Sequence, residues 1–277
     1  MAQPLRFAFN RMLAPQLDLP GFIHLAKALG SDAIEIRNDL KGVEIEDGTP
    51  PQQVKALCQA EGVRVLSINA LYPFDVWNNE RLRQAQRLAD YAQGCGAEGL
   101  VLCPLNEHGD PRDAAARARD LRTALTELAP ILREHGLLGF VEPLGFVQSA
   151  LRTKADAVAA INAVGGRDVY RLVHDTFHHH LANEQQYFPE LTGLVHISGV
   201  ESAEPVDTLL DGHRVLIGDG DLLGNAAQIQ HLLAAGYQGY LSFEPFAGSV
   251  HQLQDVTPAV QASMAWLQAR VGAGSAA

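Results

Sequence analysis

Residues 112–144 read RDAAARARDLRTALTELAPILREHGLLGFVEPL. Residues 112–135 are dominated by Ala, Arg, Leu and Glu, side chains that lose little freedom in a helix. His135-Gly136 then stops that helix, because glycine takes the left-handed position just past a helix end without steric cost. The run that follows is apolar without polar alternation, which suits a strand buried on both faces, as in a parallel sheet. It ends in Glu142-Pro143, an ionisable residue where the apolar run stops.

The same beat recurs outward in both directions. Ala28-Leu29-Gly30 precedes AIEIR, Glu61-Gly62 precedes VRVLSINA, and Cys95-Gly96 precedes GLVLCPL. Gly165-Gly166 precedes VYRLVHD, Gly193 precedes LVHIS, and Gly236 precedes YLSFEPF. With the opening RFAFN, eight strands are expected near residues 5–10, 33–37, 63–70, 99–105, 138–144, 169–175, 194–199 and 240–246. Helical stretches at 78–94 and 225–235 lie between them. Eight β-then-α beats without a linker predict an α/β protein, a single (β/α)8 TIM barrel spanning 1–271, with a flexible tail at 272–277. The length of 277 residues suits one barrel. An open doubly wound sheet would place a glycine-rich phosphate loop after the first strand, where Phe9-Asn10-Arg11-Met12 stands instead.

Composition narrows the partners. With 21 Lys and Arg against 32 Asp and Glu, the net charge of −11 repels phosphate backbones, so no nucleic acid is expected. The three cysteines (Cys58, Cys95 and Cys103) are odd in number and lack CxxC spacing, which fits buried thiols in a reducing cytoplasm. The start, MAQPLRFAFNRM, lacks a signal-peptide core, and no apolar run is long enough for a membrane span. A cytoplasmic protein with no membrane partner is the expectation. A homo-oligomer is compatible with it.

In barrels of this type, reactive side chains sit at the C-terminal strand ends. Strand 5 delivers Glu142, strand 6 Asp175, strand 7 His196 and strand 8 Glu244. A buried unpaired carboxylate costs several kcal/mol. One such residue is readily an ion-pair partner, but four on consecutive strands near one rim point to a cation. Three carboxylates and one imidazole suit one divalent metal ion (Mn, Mg, Co or Zn). Around them, His178 is expected to touch substrate, with His179 and His180 partly structural. Arg214 either holds a substrate oxygen or pairs with Asp211 or Asp219. Tyr72, Phe74 and Trp77 form an apolar wall or ordinary packing. Glu35, Arg37 and Asn69 bind hydroxyls or pair with one another.

These residues resemble the xylose-isomerase-like barrel superfamily of sugar isomerases and epimerases over nearly the whole chain. The matching motifs are the strand-5 Glu-Pro, the run Asp175-Thr176-Phe177-His178, the strand-7 histidine, the Arg214–Gly220 loop and the strand-8 Glu-Pro-Phe. Within it, the stretches IEIRND (34–39), SINALYPFDVWNNE (67–80), EPLGFVQSALRT (142–153), LVHDTFHHH (172–180) and HRVLIGDGDL (213–222) are similar to the inosose (2-keto-myo-inositol) isomerases. The resemblance implies metal ligands Glu142, Asp175, His196 and Glu244, with His178 and Arg214 near substrate oxygens. It also implies carbohydrate metabolism, inositol catabolism in particular. The segment Ile197-Ser198-Gly199-Val200 departs from the pattern, lacking the acidic residues often found after the strand-7 histidine.

Moving a carbonyl along a polyol means removing a weakly acidic proton beside it. A divalent ion stabilises the resulting enediolate, and a neighbouring carboxylate takes and returns the proton. Glu142 and Glu244 are the expected acid/base pair, and Arg37, Asn69, Tyr72, Trp77, His178 and Arg214 the substrate contacts. No lysine ends a strand in the metal half, which removes the Schiff-base nucleophile. The glycine-rich phosphate cradle is also missing, so an unphosphorylated sugar or cyclitol is expected. The near alternatives are a ketose 3-epimerase or a hydroxypyruvate isomerase. A metal-dependent hydrolase or lyase, or a non-catalytic sugar-binding subunit, fits the residues less well.

Overall fold

The computed structural model describes residues 5–273. Eight strands appear in the expected order: β1 (Phe7–Asn10), β2 (Ala33–Arg37), β3 (Arg64–Leu71), β4 (Gly99–Leu102), β5 (Leu138–Val141), β6 (Tyr170–Asp175), β7 (Thr192–Ile197) and β8 (Leu241–Phe243). Each pairs in parallel with its neighbours, and β1 pairs with β8, closing the barrel. The helices are α1 (Leu19–Ala28), α2 (Pro51–Ala60), α3 (Asn79–Cys95), α4 (Ala114–His135), α5 (Lys154–Ala163), α6 (Thr176–Ala182), α7 (Asn225–Ala234), α8 (Gly248–His251) and α9 (Thr257–Ala273). Among the described residues, no helix is long and apolar enough to cross a membrane. Helix α9 runs through Ala273; the rest of the expected tail, 274–277, lies outside the described residues.

The local signals behind this order are physical. Asp18, Asn78, Asp113, Thr153 and Asp175 accept backbone N–H groups at the starts of α1, α3, α4, α5 and α6. Gly96 and Gly136 end α3 and α4 in the left-handed conformation, at φ 78° and 67°. Gly193 departs from that role. It lies inside β7, where a Cβ would meet the Arg171 Cβ at 2.7 Å, so it marks close packing rather than a helix end.

Strand alternation sorts the side chains into two cores. Phe9, Ile34, Ile36, Leu100, Val141, Leu172, Val195, Ile197 and Phe243 face the helices. Ala8, Ala33, Leu66, Val101, Phe140, Val173, Leu194 and Tyr240 form one layer inside the barrel, drawn from every strand or its approach. Two residues further along, the inward positions become polar: Asn10, Glu35, Glu142, Asp175, His196 and Ser242. On β3 the register against β2 shifts by one residue between Ile34 and Glu35, a bulge that brings Ser67 level with Glu35.

Gly99 sits opposite Leu138, where β4 lies against β5. An added methyl would stand 2.2 Å from the Leu138 carbonyl oxygen, which is backbone and cannot swing away. Gly99→Ala is therefore expected to cost about 1–3 kcal/mol through overpacking. The urea midpoint checks this; an unchanged midpoint would mean that the two strands part freely.

Candidate functional site

Glu142 follows β5, and its N–H still bonds to the Leu102 carbonyl at 3.1 Å. Glu244 follows β8 in the same way, its N–H 2.9 Å from the Ile197 carbonyl. Each precedes a proline that cannot continue the ladder. Asp175 ends β6 and starts α6. Its Oδ1 accepts the N–H groups of Phe177 (2.7 Å) and His178 (3.1 Å), which leaves Oδ2 for the barrel mouth.

His196 on β7 is fully buried. Its Nδ1 lies 2.9 Å from Glu142 Oε1, 3.3 Å from Glu244 Oε2 and 3.9 Å from Asp175 Oδ2. One ligand-type atom from each of these four residues lies within 4.8 Å of all the others. Two guanidiniums close the cluster. Arg214 Nη2 donates to Asp175 Oδ2 (2.7 Å) and Glu244 Oε2 (2.9 Å), and Arg37 Nη1 donates to Glu244 Oε1 (2.7 Å). The Phe246 ring lies under both, 5.4 Å from Arg37 and 4.7 Å from Arg214.

The electrostatics follow. Burial alone would raise the pKa of Glu244, but His196, Arg214 and Arg37 outweigh it and hold the carboxyl well below the usual range. Burial disfavours a charged His196, yet Glu35, Glu244 and Glu142 raise its pKa well above the ordinary value. Four buried carboxylates (Glu35, Glu142, Asp175, Glu244) face two buried guanidiniums (Arg37, Arg214). With a neutral imidazole the cluster carries −2, the charge that one divalent cation cancels. The donor set and the charge both fit such an ion.

Above the cluster opens a cavity of about 310 Å³, lined by Arg37, Asn69, Tyr72, Phe146, His178 and Arg214, among others. Tyr72 is 38% exposed, and its hydroxyl accepts the Asn106 N–H at 3.3 Å. Asn69 Nδ2 donates to Glu35 Oε2 at 3.0 Å. The Nδ1 of His178 is buried without a hydrogen-bond partner among the described residues. Asp39 and Asp211, both about half-exposed, stand at the rim.

Several expectations change. Trp77 packs against the helix-side core and does not line the cavity; Phe74 is wholly buried in that core. Of the three aromatics in this irregular segment, Tyr72 alone lines the cavity. Arg214 is 1% exposed, not a surface residue. Asp211, at 3.3 Å, is one of its three carboxylate partners, and Asp219 is taken by Arg270 and Trp266. His179 turns away from the site to the Lys154 Nζ at 2.6 Å, and burial, then Lys154, pushes its pKa down to about 3.

Glu35 and Asn69 pair with one another, one of the two outcomes expected of them, and Glu35 and Cys103 each also take a partner in the cluster that the sequence did not name. The Cys103 thiol donates to Glu142 Oε2 at 3.3 Å. Glu35, fully buried, lies 3.1 Å from His196 Nε2. Its signal was available, since AIEIR is an apolar strand interrupted by one carboxylate, the same pattern that marks the ends of β5 to β8.

A model of the xylose isomerase-like TIM barrel family matches residues 23–270. The inosose isomerase of Halalkalibacterium halodurans is 27% identical over 234 residues, 81% of each chain. A xylose isomerase domain protein from Salmonella typhimurium LT2 superposes with a TM-score of 0.86 at 31% identity, covering 99% of this chain and 98% of that one. The structure of an IolI protein with a bound zinc atom also superposes at 0.86, with 22% identity over 97% of this chain and 99% of its own. With the family match covering most of the barrel, this chain belongs to the xylose isomerase-like TIM barrel family and is an enzyme of the isomerase/epimerase type.

Proposed function

We propose that this protein is a divalent-metal-dependent isomerase of an unphosphorylated keto-sugar or ketocyclitol, with 2-keto-myo-inositol as the first candidate substrate. The carrying observation is the convergence of Glu142, Asp175, His196 and Glu244 in a buried cluster of charge −2. The bound zinc of the IolI structure and the inosose isomerase relative support the reading.

A divalent ion, when bound, supplies the Lewis acidity that makes a proton beside a carbonyl removable. The chain's own residues do the rest. Arg37 and Arg214 keep Glu244 ionised and therefore able to accept a proton. Glu142, faced by a thiol rather than a guanidinium, is the second member of the acid/base pair. Arg214 presents a fixed positive charge to developing negative charge on a substrate oxygen. His178, whose ring makes no hydrogen bond within the described protein, is placed to meet a hydroxyl.

The same charges exclude a phosphate. Both cavity guanidiniums are already engaged by carboxylates, and Asp39 and Asp211 add negative charge at the mouth. A sugar phosphate is expected not to compete with the neutral substrate.

The test combines elemental analysis of purified protein with turnover of 2-keto-myo-inositol in D2O followed by NMR. About one metal per chain and deuterium entering beside the carbonyl are expected, both lost on chelation and restored by metal. Absence of metal under every loading condition would overturn the reading. Two carboxylates beside one reacting carbon also suit a ketose 3-epimerase, and identification of the product separates the two.

A further inference from the structure

One carboxylate counted in the cluster charge, Glu35, is not among the four converging residues. Glu35, in the middle of β2, is fully buried inside the barrel, directly against His196. Three protein donors already point at it. Ser67 Oγ donates to Oε2 at 2.5 Å, Asn69 Nδ2 to the same oxygen at 3.0 Å, and Ser242 Oγ to Oε1. The Asn69 amide also donates to Ser67 Oγ at 3.0 Å, which obliges the Ser67 hydroxyl proton to go to Glu35. A carboxyl surrounded by donors is an acceptor, so the remaining neighbour, His196 Nε2 at 3.1 Å, must donate its proton to it.

That bond decides which nitrogen of His196 is free. With Nε2 protonated and held by Glu35, a neutral imidazole has its lone pair on Nδ1, the nitrogen facing Glu142, Asp175 and Glu244. We propose that Glu35 is a positioning residue: it fixes the tautomer and ring orientation of His196, and thereby sets the affinity of the site for a divalent ion. The inference rests on the metal reading above. The bulge in β3 is part of the device, because it brings Ser67 level with Glu35. Neighbouring carboxylates that orient a ligating imidazole are typically worth about 10–100-fold in metal affinity.

Two measurements test it. Chelator competition with Zn2+ compares the wild type with the isosteric Glu35→Gln, and about a 10–100-fold weaker affinity is expected in the variant. NMR of nitrogen-labelled histidine in the zinc-loaded wild type, with His196→Gln for assignment, is expected to show the proton on Nε2. The second measurement needs no Glu35 variant, so it decides the matter even if Glu35→Gln folds poorly. A proton on Nδ1, or zinc affinity unchanged in Glu35→Gln, would overturn the role of Glu35 and leave the metal site standing. A wild type that binds no zinc would overturn both, and that result is distinguishable from the other two.

Discussion

Glu244→Gln is expected to lower kcat by about 10²–10⁴-fold at saturating metal, the usual worth of a positioned general acid or base. The substitution keeps the shape of the side chain, but its single oxygen can serve only one of the two guanidiniums, which bond Oε1 (Arg37) and Oε2 (Arg214) in the wild type. It removes the ability to take a proton, and it changes the cluster charge from −2 to −1. Two effects should therefore be separable: weaker metal binding, seen by competition, and lost turnover that added metal does not restore. The thermal midpoint of the metal-free protein should fall, but by less than on loss of Arg214, because one guanidinium loses its oxygen while Arg37 keeps Asp39 and Arg214 keeps Asp175. Turnover within tenfold of the wild type would remove Glu244 from the acid/base pair.

Arg214→Met is expected to show the largest stability effect, and one that depends on metal. The guanidinium is buried and bonded to Asp175, Glu244 and Ser198 Oγ (3.0 Å), between the rings of Phe177 and Phe246. Removing it leaves Asp175 and Glu244 facing each other with one positive charge fewer. Breaking a buried pair on one side costs about 3–5 kcal/mol, and that loss is expected in the metal-free variant. A divalent ion restores the missing charge, so most of the loss should return on loading, and the ion should bind more tightly than in wild type. Urea unfolding with and without Zn2+ measures both. Equal destabilisation in the two states would mean that Arg214 acts through packing against the rings alone.

The order of strands was legible because most apolar runs follow a glycine and five helices, α1 and α3 to α6, open on a capping side chain. The exceptions have particular causes. Runs expected to reach residues 105, 144 and 246 end at Leu102, Val141 and Phe243. Each is followed two residues later by a proline, at 104, 143 and 245, which removes the N–H the ladder needs. The converging residues Glu142, Asp175, His196 and Glu244 were readable as charges inside apolar strands. Glu35 carries the same mark, but its partner His196 stands 161 residues away, and a strand run names no partner. Trp77 and Phe74 were indistinguishable from Tyr72 as cavity aromatics because an irregular segment has no period from which to assign faces.

The placement of the cluster also bears on how such a molecule can be altered. The four converging side chains come from β5 to β8, while Asn38, Tyr72 and Asn106 reach the cavity from the segments after β2, β3 and β4. Tyr72 and Asn106 bond one another rather than the cluster. Part of the rim is thus separable from the four converging residues: loops grafted after β2, β3 and β4, beyond Arg37 and Cys103, would change which sugar is admitted and leave the side chains of β5 to β8 in place. A laboratory seeking a new substrate should randomise the segments after β2, β3 and β4 first.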